Sequence, residues 1–179
     1  MNIFNRGCKS SSSLLEFSYI ILFHYFFQNS YIIIGGTMPI IKYTSNELNL
    51  LARLMRAEAI GEGNLGMLMV GNVVVNRAIS NCLTFKNART IYSVIYQNPG
   101  GFAGAKSQLF QASPTNNELK LARRVLDGEY YYPATNALWF YAPSGTNSCV
   151  SFWYDQKLTG RYRSHCFYEP YPGICTQLH

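Results

Sequence analysis

The sequence predicts an α+β domain that is mainly helical and carries a small antiparallel sheet in its C-terminal half. Capped, periodic helical patterns fill the chain from about residue 44 to 128, and short aromatic segments separated by turn residues follow them. The chain has 179 residues, of which 48% are hydrophobic and 13% charged, so it can bury a sizeable core within one domain.

The first helix is predicted over about residues 45–59. Thr44 and Glu47 fit a capping box directly before an apolar periodic run. The apolar residues recur at spacings of three and four and mark one face: Leu48, Leu51, Leu54 and Met55. Glu58 falls on the same stripe, and Gly61 and Gly63 then break the helix.

A second helix is predicted over GMLMVGNVVVNRAIS, residues 66–80. Gly71 lies inside it, where a missing side chain permits close helix packing at some cost in propensity. One face of this helix is marked by Met67, Val70, Val73, Val74 and Arg77. A short helix is predicted over Arg89–Gln97.

The stretch NPGGFAGAKSQ, residues 98–108, is rich in glycine and is predicted to be an exposed loop. It is either a binding or lid loop or a plain connection. A further helix follows, in which Thr115 and Glu118 form the capping box and Gly128 supplies the C-terminal stop. The segments ALWFYAP, SFWYDQ and YRSHCFYEP are then typical of short strands.

Residues 1–37 differ in character from residues 38–179, which form the predicted catalytic domain. Arg6 and Lys9 precede an apolar run that Glu16 and His24 interrupt. Three interpretations stay open: an over-long start with Met38 as the true first residue, a signal or anchor segment, or a folded part of the domain. No uninterrupted apolar stretch of about 18 residues is present, which argues against a transmembrane helix. A membrane is expected as a partner only if this extension is real.

The formal charge of +6 suits a polyanionic partner such as nucleic acid, a membrane or an acidic wall polymer, or is simply that of a basic protein. Nucleic acid is not favoured, because no helix-turn-helix, zinc-finger or RNP-like motif occurs. No C-x-x-C occurs among Cys82, Cys149, Cys166 and Cys175, so no metal site is predicted. The sequence leaves open whether these cysteines form disulfides or are buried free thiols. His165 and Cys166 are not expected to pair, because neighbours on a strand point to opposite faces.

Glu58 is the candidate general acid. Its apolar surroundings and its place at the C-terminal end of a helix both disfavour the carboxylate and raise its pKa. A glycosidase acid needs such a site, because it must be protonated near neutral pH. The alternative is a structural glutamate paired with Arg53, Arg56 or Arg77.

Glu62 is interpreted as a supporting or loop-capping residue at the substrate site. Two acids four residues apart on one helix face point in parallel and cannot flank a sugar from opposite sides. A single-acid mechanism fits better, in which the sugar's own 6-hydroxyl closes on the anomeric carbon and no second carboxylate is required. That is lytic transglycosylase chemistry. The sugar groove is predicted to include residues with stacking rings or amides, although each could equally be packing: Tyr96, Gln97, Phe102, Gln111 and Trp139.

Seven segments of the chain form one pattern: ARLMRAEAIGEGNLGMLMVGNVVVNR, IYSVIYQ, GGF, LARRVLDG, ALWFYAP, WYDQ and RSHCFYEP. Together they resemble the germination-specific cell wall hydrolases of the SleB/CwlJ family. The resemblance runs from about Met38 to Cys175 and is closest to the CwlJ type, since no separate peptidoglycan-binding repeat is present. Ile60 departs from the family pattern, where a polar or acidic residue is expected.

The resemblance implies a compact fold related to lysozyme-like transglycosylases and a spore cortex-lytic enzyme acting on peptidoglycan during germination. The family's general acid corresponds to Glu58. The resemblance further implies a location in the spore coat or at its boundary with the cortex, coat proteins as partners, and no secretion signal, which favours Met38 as the start. It implies no cofactor for the chemistry, with calcium-dipicolinate as an activating signal for which no ligand residue is identified. A non-catalytic wall-binding protein and simple glycosidase hydrolysis are the alternatives.

Overall fold

A computed structural model describes residues 38–145 and 147–175. The predictions on residues 1–37 lie outside the described residues. Within the described part the helices come first and the sheet follows, so the predicted α+β class is confirmed. The helices found there are too short or too polar to cross a bilayer.

The first helix, α1 (Ser45–Ala59), has the bounds and the capping box predicted for it. The Thr44 side chain accepts the Glu47 N–H, and the Glu47 carboxylate accepts the Thr44 N–H. The predicted apolar stripe of α1 is fully buried. A 3₁₀ turn (Ile60–Glu62) then leads into α2 (Gly63–Ile79), and Gly63 takes the left-handed φ of +74° that a side chain disfavours.

Helix α2 begins earlier than predicted, and its burial extends beyond the marked face to all its sides. Every residue from Gly66 to Ala78 is buried, because the helix runs between α1, the last helix and the sheet. The predicted close packing at Gly71 is confirmed. A Cβ there would stand 3.0 Å from the Met55 sulfur and 3.0 Å from Val125 Cγ2.

The remaining helices are α3 (Ile91–Ile95), α4 (Gln108–Gln111) and α5 (Asn116–Leu126). The predicted capping box of α5 is present, and Gly128 ends the helix region with a φ of +94°. The glycine-rich loop 98–108 is only partly exposed, which corrects the prediction. It contains a 3₁₀ turn (Ala103–Lys106), and Phe102 and Gly104 are buried against the helices.

The sheet consists of β1 (Trp139–Tyr141), β2 (Phe152–Trp153), β3 (Gln156–Tyr162) and β4 (His165–Glu169). Its order is β1-β4-β3-β2, with all neighbours antiparallel. The sequence did not predict β3 as a strand of this length, because QKLTGRY has charged residues and a glycine in place of an aromatic alternation.

Two disulfides tie the sheet and the C-terminus to the rest of the domain. Cys82, beyond α2, is bonded to Cys175, and Cys149, before β2, is bonded to Cys166 in β4. The disulfide alternative is therefore the correct one for these cysteines. The expectation that His165 and Cys166 do not pair is also met, since Cys166 is engaged with Cys149.

Candidate active site

Glu58 lies in the last turn of α1, where the loop 98–108 crosses the helix. The Gly104 N–H donates to Glu58 Oε1 at 2.6 Å, so a backbone group fixes the position of the carboxyl. Gly104 also permits the close approach, because a Cβ at this residue would stand 2.8 Å from Oε1. A glycine-rich loop and a helix end together therefore hold one half-buried carboxyl.

The Glu58 carboxyl lines a cleft of about 420 Å³ between the helices and the sheet. The walls are formed by Gly100–Ala103 of the loop, by β1 with the following alanine, and by three further side chains: Arg77, Trp153 and His165. Of the described residues that line the cleft, Glu58 alone carries a carboxyl group.

The electrostatics of the cleft act on Glu58 in two directions. Burial raises the pKa of the carboxyl, while the Gly104 N–H and the positive charge of Arg77 oppose this rise. The net direction is upward, so the proton is held to higher pH than on an ordinary glutamate. The two opposing groups favour the anion once the proton has left.

None of the arginines considered as partners forms an ion pair with Glu58. Arg56 pairs with Glu118 at 3.1 Å and donates to carbonyl groups near α4, and Arg53 lies over the Phe110 ring. No salt bridge to these arginines therefore holds Glu58 in the described part of the chain, although the charge of Arg77 acts on its carboxyl.

Arg77 is held beneath the cleft by backbone carbonyls and aromatic rings. Its Nε donates to Leu138 O at 2.7 Å, and its Nη1 donates to Gly100 O at 2.8 Å. The guanidinium also lies 4.5 Å from the centre of the Phe102 ring. Burial lowers the pKa of Arg77 to about 10, which leaves it charged at neutral pH.

The predicted sugar-groove residues are distributed over several places. Phe102 and Trp139 line the same cleft as Glu58. Tyr96 and Gln97 line a neighbouring hollow of about 630 Å³, which shares Gly100–Ala103 with the cleft. Gln111 is exposed at the end of α4 and lines neither space.

Glu62 is buried away from the lining of the cleft. Its carboxylate accepts the Ser164 N–H at 3.2 Å and the Ser164 hydroxyl, so it fastens the start of α2 to the turn between β3 and β4. This is the geometry of a supporting residue. The Glu62 side chain does not join Glu58 as a second cleft carboxyl.

His165 was not singled out by sequence reasoning as a member of the site. It is 8% exposed and lines the cleft, and its Nδ1 has no hydrogen-bond partner in the described part of the chain. Burial lowers the pKa of the imidazole, and nearby Glu62 opposes this shift. Strand alternation predicts that His165 and Cys166 point to opposite faces of β4. It does not predict that the face with His165 lines the same cleft as Glu58, because this depends on how the curled sheet meets the helices.

The described residues contain no group of three His, Cys, Asp or Glu side chains placed to hold a metal ion. The cleft itself contains a carboxyl with a raised pKa, a buried cation and an imidazole. Aromatic rings form much of the remaining wall.

Comparison with known proteins places this architecture in one family. A model described as Cell Wall Hydrolase matches residues 61–168, beginning just after Glu58. The chain is 49% identical over 141 residues to Cell wall hydrolase CwlJ of Oceanobacillus iheyensis, a match that covers 79% of this chain and 99% of that protein.

Two solved structures share the fold. The catalytic domain of the Bacillus cereus SleB protein has a TM-score of 0.57 at 24% identity, covering 75% of this chain and 100% of that one. The catalytic domain of the germination-specific lytic transglycosylase SleB from Bacillus anthracis has a TM-score of 0.53 at 25% identity, covering 71% and 97%. The match to the family model and the near-complete overlap with CwlJ show that the chain belongs to the cell wall hydrolase family.

Proposed function

We propose that the protein is a spore cortex-lytic enzyme that cleaves the glycan strands of peptidoglycan during germination. Glu58 is its general acid and base, in a lytic transglycosylase-type reaction. The observation that carries this proposal is a lone cleft carboxyl, Glu58, with a raised pKa and a backbone hydrogen bond that orients it.

The reaction begins with protonated Glu58, which donates its proton to the glycosidic oxygen as the bond from that oxygen to the anomeric carbon breaks. The carboxylate so formed is stabilised by the Gly104 N–H and by the charge of Arg77. It then accepts the proton of the sugar's 6-hydroxyl while that oxygen bonds to the anomeric carbon. The products are a new 4-hydroxyl end and a 1,6-anhydro end, and Glu58 is again protonated.

The relatives support the substrate and the setting. One is named a cell wall hydrolase, and a structural neighbour is named a germination-specific lytic transglycosylase. From the family resemblance we further expect a location at the boundary of the spore coat and cortex, with coat proteins as partners. Calcium-dipicolinate is the activating signal that the family resemblance leads us to expect.

The proposal is tested by incubating purified cortex with the 179-residue chain and with its Glu58→Gln variant, followed by mass spectrometry of the released fragments. Glutamine keeps the shape and can still accept the Gly104 N–H, but it has no proton to donate. We expect anhydro-sugar ends from the wild type and a loss of release of about a thousandfold or more in the variant.

Other outcomes have distinct meanings. Reducing ends from the wild type would show hydrolysis and would require a water held in the cleft. Undiminished release by Glu58→Gln would exclude Glu58 as the acid. Cortex binding without release by either protein would indicate a wall-binding protein.

A further inference from the structure

An aromatic surface begins inside the cleft and continues beyond it. Tyr141 of β1 and Trp153 of β2 both line the cleft, and their ring centres are 4.8 Å apart. Both rings rest on buried Tyr168, at 5.7 and 5.5 Å. Because β1 and β2 are the two edges of the sheet, this contact means that the sheet curls until its edges meet at the rim of the cleft.

Tyr154 extends this surface into solvent. Its ring centre is 5.2 Å from that of Trp153, and the residue is 80% exposed. Tyr154 and Asp155 form the two-residue turn of the β2–β3 hairpin, with φ values of +48° and +65°. Such a turn favours glycine, asparagine or aspartate, so an exposed tyrosine there serves neither the turn nor the core.

The base of this surface is held in place by the fold. The Tyr168 hydroxyl donates to Val150 O at 2.9 Å, which ties the chain before β2 to β4. The disulfide between Cys149 and Cys166 joins the same two segments. The rings are therefore presented on a fixed base, which limits the conformational freedom that binding would otherwise remove.

We propose that Tyr141, Trp153 and Tyr154 form a stacking platform for sugar rings of the glycan strand, which begins at the rim of the catalytic cleft and extends from it into solvent at Tyr154. This inference rests on the proposed function and extends its substrate site. A pyranose ring has an apolar C–H face that packs on an aromatic ring, while its hydroxyl groups remain hydrated at the edge. A glycan strand is the favoured occupant because the platform is continuous with the wall that faces Glu58.

The test is calorimetric titration of the 179-residue Glu58→Gln chain, which binds without turnover, with soluble cortex glycan of two lengths. A disaccharide is expected to stay within the cleft, whereas an octasaccharide is long enough to extend as far as Tyr154. Adding Tyr154→Ala removes one aromatic stacking contact and should weaken octasaccharide binding by up to about tenfold, while disaccharide binding stays unchanged. The matched control is Phe152→Ala, which removes a 58% exposed ring from β2 on the face opposite to Trp153 and should alter neither affinity.

Unchanged octasaccharide affinity in Tyr154→Ala would overturn the platform, as would equal losses for both lengths or the same loss in Phe152→Ala. Absence of any glycan binding by the Glu58→Gln chain would overturn it as well. The proposed function is judged separately, by fragment release. If Glu58→Gln is inactive and Tyr154→Ala binds the octasaccharide normally, the platform alone is excluded. If Glu58→Gln is active, the proposed function alone is excluded.

Discussion

Gly104 is the residue on which the position of the Glu58 carboxyl depends most directly. Its N–H donates to Oε1, and a Cβ on it would stand 2.8 Å from Oε1 and 3.0 Å from Cδ. Gly104→Ala should therefore displace the carboxyl. We expect release of cortex fragments to fall about a hundredfold, because displacement of a catalytic group by about 1 Å has effects of that order.

A matched glycine separates this effect from a general cost of alanine. A Cβ on Gly61 would meet nothing within 4 Å, so Gly61→Ala should keep wild-type activity. Thermal unfolding of both variants checks that the fold survives. Equal activity of the two alanine variants would contradict the role given to Gly104.

Glu58 should also make stability depend on pH. Its pKa in the folded protein lies above the ordinary glutamate value of 4.5, so the folded state binds this proton more tightly than the unfolded chain. The resulting stabilisation is full below pH 4.5 and is lost as pH rises through the raised pKa. Glu58→Gln has no such loss, and we expect its free energy of unfolding to exceed that of the wild type at neutral pH.

Denaturant unfolding of both proteins across this pH range measures the effect. The advantage of Glu58→Gln should shrink as pH falls towards 4.5. A constant difference at all pH values would show that Glu58 titrates alike in the folded and unfolded states, and the raised pKa would then be wrong.

At the scale of the elements, the features that sequence analysis predicted best are those that depend on residues close together in the chain. The capping boxes at Thr44 and Thr115 depend on residues three positions apart, and both are present. The stripe that ends in Glu58 is likewise local to one helix. The face marked on α2 is buried, but the burial of its other sides was not predicted, because the segments that cover them are distant in sequence.

The candidate site was predictable in part for the same reason. Glu58 could be selected from α1 alone, but its hydrogen-bond partner lies 46 residues away in a loop predicted to be exposed. His165 enters the cleft from the far end of the chain. Neither contact can be predicted from neighbouring residues in the sequence, because each depends on how the loop and the curled sheet pack against the helices.

At the scale of the whole molecule, the two disulfides should differ in their effects on stability and activity. The residues joined are 93 apart for Cys82–Cys175 and 17 apart for Cys149–Cys166. Since a longer loop restricts the unfolded chain more, removing the first should cost about 4–5 kcal/mol and removing the second about 3 kcal/mol. Double Cys→Ser variants of each pair, unfolded in denaturant, measure these values.

Activity should follow the opposite order. Cys149–Cys166 holds the segment before β2 against β4 at the residue next to His165, which lines the cleft, so its loss loosens the wall of the cleft itself. Cys82–Cys175 fastens the C-terminal segment at residues that do not line the cleft. Fragment release, measured where both variants remain folded, should fall further in the Cys149/Cys166 variant. Greater loss of activity in the less stable Cys82/Cys175 variant would instead mean that global stability, and not the curl of the sheet, determines the shape of the site.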